Sequence, residues 1–172
     1  MQPHGVSPFS MASRRTALHA CIWGAVGLVI GPVTAGHAQQ AMTVADMRPD
    51  VAHRAAEAGE IILIDIRRPE EWLQTGIGQH AVPLDMTHKD FVDTLVTLRQ
   101  THPDKPMALI CRTGNRTGHV TTLLAQQGFP GLVDVREGMV GGRHGPGWLK
   151  RGLPVYAGTG ENIRDSLSKV LP

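Results

Sequence analysis

The sequence predicts one α/β domain with a mostly parallel central sheet flanked by helices on both faces. Continuous apolar runs at 60–66, 107–111 and 132–135 are too short for globular helices and have the composition of strands buried on both faces. Stretches with helical periodicity separate these runs. Repeated strand–loop–helix units of this length are typical of a parallel sheet, and a chain of 172 residues suffices for one such domain.

The first 38 residues have the pattern of an export signal. Arg14 and Arg15 precede an apolar stretch from 17 to 30, and small residues lead to Ala38. These are the parts of a secretory signal peptide, possibly of the twin-arginine type, so we expect cleavage after Ala38 and a periplasmic product. An uncleaved membrane anchor is the alternative, but the apolar stretch is shorter than the ~20 residues that a spanning helix needs.

Residues 39–172 form the predicted mature domain, and its charges are balanced. This part contains 15 basic and 15 acidic residues, although the full chain has a formal charge of +2. A neutral domain with interspersed charges lacks the basic surface that binds nucleic acid or anionic lipid, so we expect neither partner, and no stable membrane anchor after cleavage. The nine histidines show no ligand spacing, so we expect no metal and no cofactor.

The elements of this domain are predicted in chain order. The first four are a helix between Thr43 and Gly59, a strand at 60–66, a loop at 67–78 with one helical turn around residues 70–72, and a short strand at 81–84. A helix follows over 88–100, because its apolar side chains repeat on one face. Those side chains are Phe91, Val92, Leu95 and Leu98.

The second half continues with the strand at 107–111 and a helix over 116–127. Val120, Leu123 and Leu124 are predicted to point inward from this helix, and Gly128 to cap its C-terminus. A strand at 132–135 and a short helix within 161–172 complete the prediction.

The loop after the 107–111 strand carries Cys111, the candidate nucleophile. Ligands of open α/β sheets bind beyond the carboxyl ends of the strands, where this loop is expected. Loop amides made accessible by Gly114, the positive end of the following helix, and the charges of Arg112 and Arg116 would all favour a thiolate. The predicted mature domain has no second cysteine for a disulfide, so the alternative is an inert cysteine that ends a strand.

The chain from about residue 43 to 157 resembles single-domain members of the rhodanese (thiosulfate sulfurtransferase) family. ILIDIRRPEEW is similar to the family's strand-and-loop signature, CRTGNR matches its C-x-x-G-x-R active loop, and LVDVREGMVGG with GPGWLKRGLPV resembles its closing segment. One departure occurs at the pocket rim. The family has Gly-His-Ile-x-Gly-Ala where this chain has the residues from Gly76 to Ala81.

The resemblance implies a rhodanese-like fold and a sulfurtransferase. Cys111 would attack the outer sulfur of thiosulfate, release sulfite, and hold the sulfur as a persulfide until a thiol or cyanide accepts it. The two loop arginines would hold the sulfonate, and the loop amides would stabilise the thiolate and the persulfide. The substrate-binding residues are therefore predicted to be Arg112, Thr113, Gly114, Asn115 and Arg116.

Three further residues are candidates for supporting roles. Asp65 and Arg67 end the neighbouring strand and are expected to form a structural ion pair that braces the active loop. Glu71 is expected either to line the pocket or to be a solvated acid at the start of a helical turn.

Two other functions stay open at this point. Cysteine-dependent phosphatases and arsenate reductases of related fold have Cys-x5-Arg, whereas this loop has its arginine one residue earlier, which favours sulfur transfer. The non-enzymatic alternative is a persulfide carrier or partner-binding module with little turnover. Modules that have lost activity typically lack the cysteine, which this chain keeps.

Overall fold

The computed structural model describes residues 44–172. The predicted signal peptide at 1–38, its cleavage site after Ala38 and the predicted helix cap at Thr43 lie outside these residues and stay predictions. Along the described residues, no helix combines the length and the apolarity that crossing a membrane requires.

A five-stranded parallel sheet forms the centre of the domain. The described chain contains seven strands: β1 (Ala45–Asp46), β2 (Ile62–Asp65), β3 (Ile77–Gly78), β4 (Val82–Pro83), β5 (Met107–Ile110), β6 (Leu132–Asp134) and β7 (Val155–Tyr156). The central sheet has the order β1-β6-β5-β2-β4, and each of its neighbouring pairs is parallel. This result confirms the predicted α/β architecture.

Six helices accompany the strands in this part of the chain. They are α1 (Pro49–Glu57), α2 (Pro69–Thr75), α3 (Phe91–Thr101), α4 (Asn115–Gln126), α5 (Gly147–Lys150) and α6 (Gly160–Ser168). Their apolar side chains fall into two clusters, because successive residues of a strand point to opposite faces. Ala108 and Ile110 of β5 pack in the cluster that includes side chains of α1, α2 and α5, whereas Met107 and Leu109 pack with α3 and α4. Helices therefore cover both faces of the sheet, as predicted.

The prediction that Val92 and Leu123 point inward is wrong. Val92 is 50% exposed and Leu123 is 46% exposed. Val92 lies about 100° around α3 from buried Phe91, outside the apolar face. The buried face of α4 is centred on Val120 and Thr121, so Leu123 points away from the sheet.

Two helices also differ from the prediction, one in where it begins and the other in its length. Helix α1 begins only at Pro49, a residue suited to the first helical position, and strand β1 occupies two residues before it. Helix α2 spans seven residues instead of one turn. Its Glu71 side chain accepts a hydrogen bond from the backbone N–H of Arg68, which satisfies one of the free donors at the helix start.

Residues 76–81, which depart from the family motif, contain strand β3, and this strand pairs with β7 of the closing segment in a small second sheet. Strands β3 and β7 pair antiparallel, with Ile77 opposite Tyr156. His80 follows at a position where the family motif has glycine, and it adopts a left-handed backbone conformation with φ 68°. Its ring stacks on His53 at 5.8 Å between centroids.

Candidate active site

Cys111 lies directly after β5, at the carboxyl edge of the central sheet. Its side chain is fully buried. The sulfur accepts a hydrogen bond from the backbone N–H of Gly114 at 3.2 Å, and the hydroxyl Oγ1 of Thr117 lies 3.7 Å away. The loop amide is directed at the sulfur and can stabilise negative charge that develops there, which distinguishes the site from that of an inert apolar residue.

The curl of the loop depends on Gly114. This residue precedes α4 with φ 86°, in the left-handed region that glycine tolerates best. A Cβ atom at this position would lie 1.7 Å from the carbonyl oxygen of Arg136. The loop can therefore aim its amide at the sulfur only because residue 114 has no side chain.

The segment after β6 supports the loop from behind through two backbone hydrogen bonds. The N–H of Met139 donates to the carbonyl of Cys111 at 2.8 Å, and that of Val140 donates to the carbonyl of Arg112 at 2.9 Å. Gly138 lies so close that a Cβ atom there would be 2.6 Å from the same Arg112 oxygen. The conformation of the active loop is thus set by a second segment as well as by its own sequence.

Arg116 and Glu71 form a bidentate ion pair. The two guanidinium nitrogens donate to the two carboxylate oxygens at 2.7 and 2.6 Å. Burial raises the pKa of Glu71, but hydrogen bonds from Arg116 and from the backbone of Arg68, together with nearby positive charge, more than offset this and hold the pKa below its usual range. Glu71 is therefore not a solvated acid. It lines the pocket, as one of the two alternatives predicted, and anchors a loop arginine to α2.

An open cleft of about 570 Å³ borders the loop at Arg112 and Arg116. Eight residues line it: Arg68, Glu70, Glu71, Gln74, Met86, Thr87, Arg112 and Arg116. Arg112 is exposed, and within residues 44–172 no carboxylate lies within ion-pairing distance of it. Arg68 is paired with Glu70 at 2.9 Å. Arg112 is therefore the lining guanidinium that is available to an anionic ligand.

Asp65 and Arg67 form the predicted structural ion pair, with both side chains fully buried. Arg67 donates to both carboxylate oxygens of Asp65, to the hydroxyl of Thr75 at 2.7 Å and to the carbonyl of Gly76 at 2.8 Å. These contacts hold the end of α2 against β2. The pair does not contact the active loop directly. It holds α2 in place, and Glu71 of α2 in turn binds Arg116 of the loop.

The remaining loop residues differ in their surroundings. Thr113 is half-buried beside Gly142, and Asn115 is exposed at the first position of α4. Thr117, whose hydroxyl lies beside the Cys111 sulfur, was not predicted as a site residue, although it directly follows the CRTGNR motif. Arg68 was also missed, although it is part of the RRPEEW segment, whereas nothing local in the sequence marks Met86 or Thr87 as cleft residues.

The amino-acid sequence matches one known protein family. Residues 48–143 match the family described as Rhodanese-like domain, which is more than half of the chain. A sulfurtransferase of Allochromatium vinosum is 29% identical over 112 residues, which cover 64% of this chain and 92% of that protein.

Solved structures with the same fold are also found. A thiosulfate sulfurtransferase from Pseudomonas aeruginosa superposes with a TM-score of 0.52 at 17% identity, covering 73% of this chain and 24% of that one. A polysulfide-sulfur transferase homodimer from Wolinella succinogenes gives 0.50 at 24% identity, covering 66% of this chain and 79% of that one. At these identities the likeness supports the fold.

Proposed function

This chain belongs to the rhodanese-like domain family, and from that premise we propose that it transfers the outer sulfur of thiosulfate, through a persulfide on Cys111, to a thiol or cyanide. The general activity, sulfur transfer between small molecules, agrees with its relatives. The observation that carries the specific proposal is the sulfur of Cys111, which accepts a hydrogen bond from the Gly114 amide in the same loop from which Arg112 lines the open cleft.

The reaction consists of two displacements at sulfur. The Cys111 thiolate attacks the outer sulfur of thiosulfate, a new S–S bond forms, and sulfite leaves with the electron pair of the old bond. A thiolate or cyanide then attacks the outer sulfur of the persulfide, and the Cys111 thiolate is released. The products are a new persulfide or thiocyanate, and no external oxidant or reductant is needed.

The two loop arginines have different tasks in this proposal. Arg112 has no carboxylate partner among residues 44–172 and can form charge-assisted hydrogen bonds with the sulfonate oxygens of the donor. Arg116 contributes its charge to the cleft, but each of its two terminal nitrogens already donates one hydrogen bond to Glu71. A donor with two negative charges suits this cleft better than a monoanionic thioacid.

The proposal is tested by loading the protein with sulfur. Incubation with thiosulfate should add one sulfur atom to Cys111, which mass spectrometry detects and cyanide removes. Cys111→Ser should lose both the adduct and the turnover, since an alkoxide is far less accessible than a thiolate and forms no persulfide. Turnover of p-nitrophenyl phosphate without any cyanide-labile adduct would instead identify a phosphatase.

A persulfide that forms in full but is not passed on would identify a carrier. Comparing the rate of adduct formation with the rate of thiocyanate production distinguishes the two cases. An enzyme turns over repeatedly, at a rate close to but no higher than that of its slower half-reaction, whereas a carrier stops after one equivalent.

We also propose that the protein acts after export. The arginine pair, apolar core and small residues before Ala38 support this proposal. Intact-mass analysis of the protein from a periplasmic fraction should give a chain that starts at Gln39. A full-length chain in the membrane fraction would contradict it.

A further inference from the structure

A second cavity lies at the amino edge of the central sheet, whereas Cys111 lies at the carboxyl edge. The cavity has a volume of about 450 Å³ and is formed where β2 and β4 begin, between the end of α1 and the side of α6. It shares no lining residue with the cleft at Arg112. The four residues of β5, roughly 13 Å of extended chain, separate the two edges. This cavity is therefore not part of the proposed active site.

The floor of the cavity is apolar and belongs to the core of the domain. Ile61, Leu63 and Val82 line it, and all three side chains are buried. Ala56 of α1 and Val170, which follows α6, extend the same apolar surface. A concave site of this size with an apolar floor and a few polar groups is typical of small-molecule binding.

The wall formed by α6 is held in place by hydrogen bonds. The hydroxyl of Ser166 donates to the carbonyl of Ala81 at 3.3 Å, and the hydroxyl of Tyr156 donates to the same carbonyl at 2.6 Å. Nε2 of His102 lies 2.9 Å from the carbonyl oxygen of Val170. The cavity is therefore pre-formed, and the two hydroxyl protons are already used within the protein.

The charged groups that line the cavity are mainly positive. Nζ of Lys105 is placed beside Gly59, where a Cβ atom would lie 3.9 Å from it, and no carboxylate within residues 44–172 lies within ion-pairing distance of this ammonium group. Lys169 is paired at 2.6 Å with Asp165, the one carboxylate of the lining. Lys105 is therefore the lining cation that is available to an anionic ligand.

His80 lines the cavity in an unusual backbone conformation. Among residues 44–172 it is the one non-glycine residue with a positive φ, 68°. Such a conformation costs free energy in a residue with a Cβ atom, and residues of this kind cluster at functional sites. The ring of His53 stacks on the His80 ring and holds it in this place. The strain has a purpose if the His80 ring contacts a ligand, because an imidazole N–H can donate a hydrogen bond to an anion.

We propose that this cavity binds a small organic anion with an apolar body, such as an aromatic or aliphatic carboxylate or sulfonate. The apolar body would cover the floor at Ile61, Leu63 and Val82, and the anionic group would contact Lys105 and His80. An inorganic anion such as thiosulfate would leave the apolar floor uncovered, and a cation would be repelled by Lys105. The site shares no residue with the cleft, so this proposal does not depend on sulfur transfer.

The test is a fluorescence titration of the purified full-length chain with anilinonaphthalene sulfonate, a probe that brightens in apolar surroundings. Phenylnaphthylamine has the same ring system without the sulfonate and serves as the neutral probe. Lys105→Gln should weaken binding of the sulfonate about tenfold, which corresponds to the loss of one charge-assisted interaction, and leave the neutral probe unaffected. An unchanged affinity for the sulfonate, or an equal loss for both probes, would overturn the proposal.

The matched control for this charge is Lys89→Gln. Lys89 is an exposed lysine that lines neither the cavity nor the cleft, so both affinities should stay unchanged. Arg112→Ala should not change the affinity for the sulfonate either, and thiosulfate should not displace it. A loss of binding in either variant, or displacement by thiosulfate, would mean that the sulfonate binds elsewhere and would contradict the proposal.

Two further variants test the shape of the cavity and the role of the imidazole. Ala56→Phe places a ring in the cavity and should abolish binding of both probes, whereas persistent binding would locate them elsewhere and refute the proposal. If circular dichroism shows that Ala56→Phe does not fold, His80→Asn is decisive, because asparagine tolerates the left-handed conformation. It should weaken the sulfonate by about threefold or more and leave the neutral probe unaffected, and no change would contradict the proposed contact.

Discussion

Two arginines of one loop illustrate how surroundings decide what a residue can do. From the sequence, Arg112 and Arg116 were expected to have the same task, since both lie in the loop that carries the nucleophile. In the structure, Arg116 is held by Glu71 in a bidentate pair, whereas Arg112 lines the cleft with no carboxylate partner in the described part of the chain. Of these two arginines, Arg112 can therefore direct its whole guanidinium at a donor.

The first prediction follows from this difference. Arg112→Ala should lower kcat/KM for thiosulfate by about ten- to a hundredfold, because one charge-assisted interaction is worth roughly 1.5–3 kcal/mol. Most of the change should appear in KM, and adduct formation at saturating thiosulfate should persist. Steady-state kinetics measure both quantities.

Arg143→Ala is the control for this substitution. Arg143 is an exposed arginine that does not line the cleft, so its loss removes the same charge without changing the site. Equal losses in the two variants would mean that only the general charge of the surface matters, contrary to the assignment of Arg112.

The candidate site was predictable only where local sequence determines it. Cys111 and Gly114 were identified because a thiol and a glycine in a strand–loop–helix unit have a direct chemical meaning. The pairing of Arg116 with Glu71 was not predicted, because the two residues are 45 positions apart and meet only when α2 packs beside the active loop. Contacts between distant segments leave no pattern in a single sequence.

The same limit applies to secondary-structure elements. The long buried runs of β2, β5 and β6 were predicted within two residues of their ends, because such runs have few alternatives. Among the two-residue strands, β4 was predicted from the short apolar run around it, whereas β1, β3 and β7 were missed, since two residues alone cannot display an alternation. Their pairing is determined by the partner strand.

At the level of the loop and its helix, Gly114→Ala should disrupt the site. A Cβ atom would meet the Arg136 carbonyl oxygen at 1.7 Å, so the loop must shift and the amide must move away from the sulfur. We expect loss of the cyanide-labile adduct and a clear decrease in melting temperature, measured by mass spectrometry and thermal denaturation.

Gly128→Ala provides a matched control for this loop variant. Gly128 also has a positive φ, 83°, but a Cβ atom there would have no neighbour within 4 Å. It should therefore cost only the left-handed backbone energy, about 1–2 kcal/mol, and preserve the adduct. If both variants behave alike, the close approach to Arg136 is not what restricts residue 114.

Across the whole molecule, two buried glutamates connect helices to the segments around the site. Glu71 joins α2 to the active loop, and Glu137 joins the segment after β6 to α5 through the N–H of Gly147 and the side chain of Arg151. Arg151 lowers the pKa of Glu137 despite burial, and the pKa of Glu71 is lowered as well. Both carboxylates are thus ionised more readily in the folded chain than in the unfolded one.

These lowered pKa values predict a loss of stability in acid. The contribution of each glutamate is fully present above its unfolded pKa, close to 4.5, and decreases as pH falls through the lower folded value. Asp134 acts in the opposite direction, because its pKa is raised by folding. Urea denaturation between pH 6 and 3 should show a falling free energy of unfolding, and the slope should be smaller in Glu137→Gln. An unchanged slope would contradict the assignment.

The arrangement of the central sheet also bears on self-association. Its outer strands, β1 and β4, are only two residues long, so neither offers another chain a long row of free backbone groups. β1 carries Asp46, whose charge is paired with Arg136, and β4 contains Pro83, which has no N–H to donate. On the β4 side, α6 approaches closely enough for the hydroxyl of Ser166 to donate to the carbonyl of Ala81. The protein should therefore resist edge-to-edge aggregation even at the high concentrations reached during overproduction.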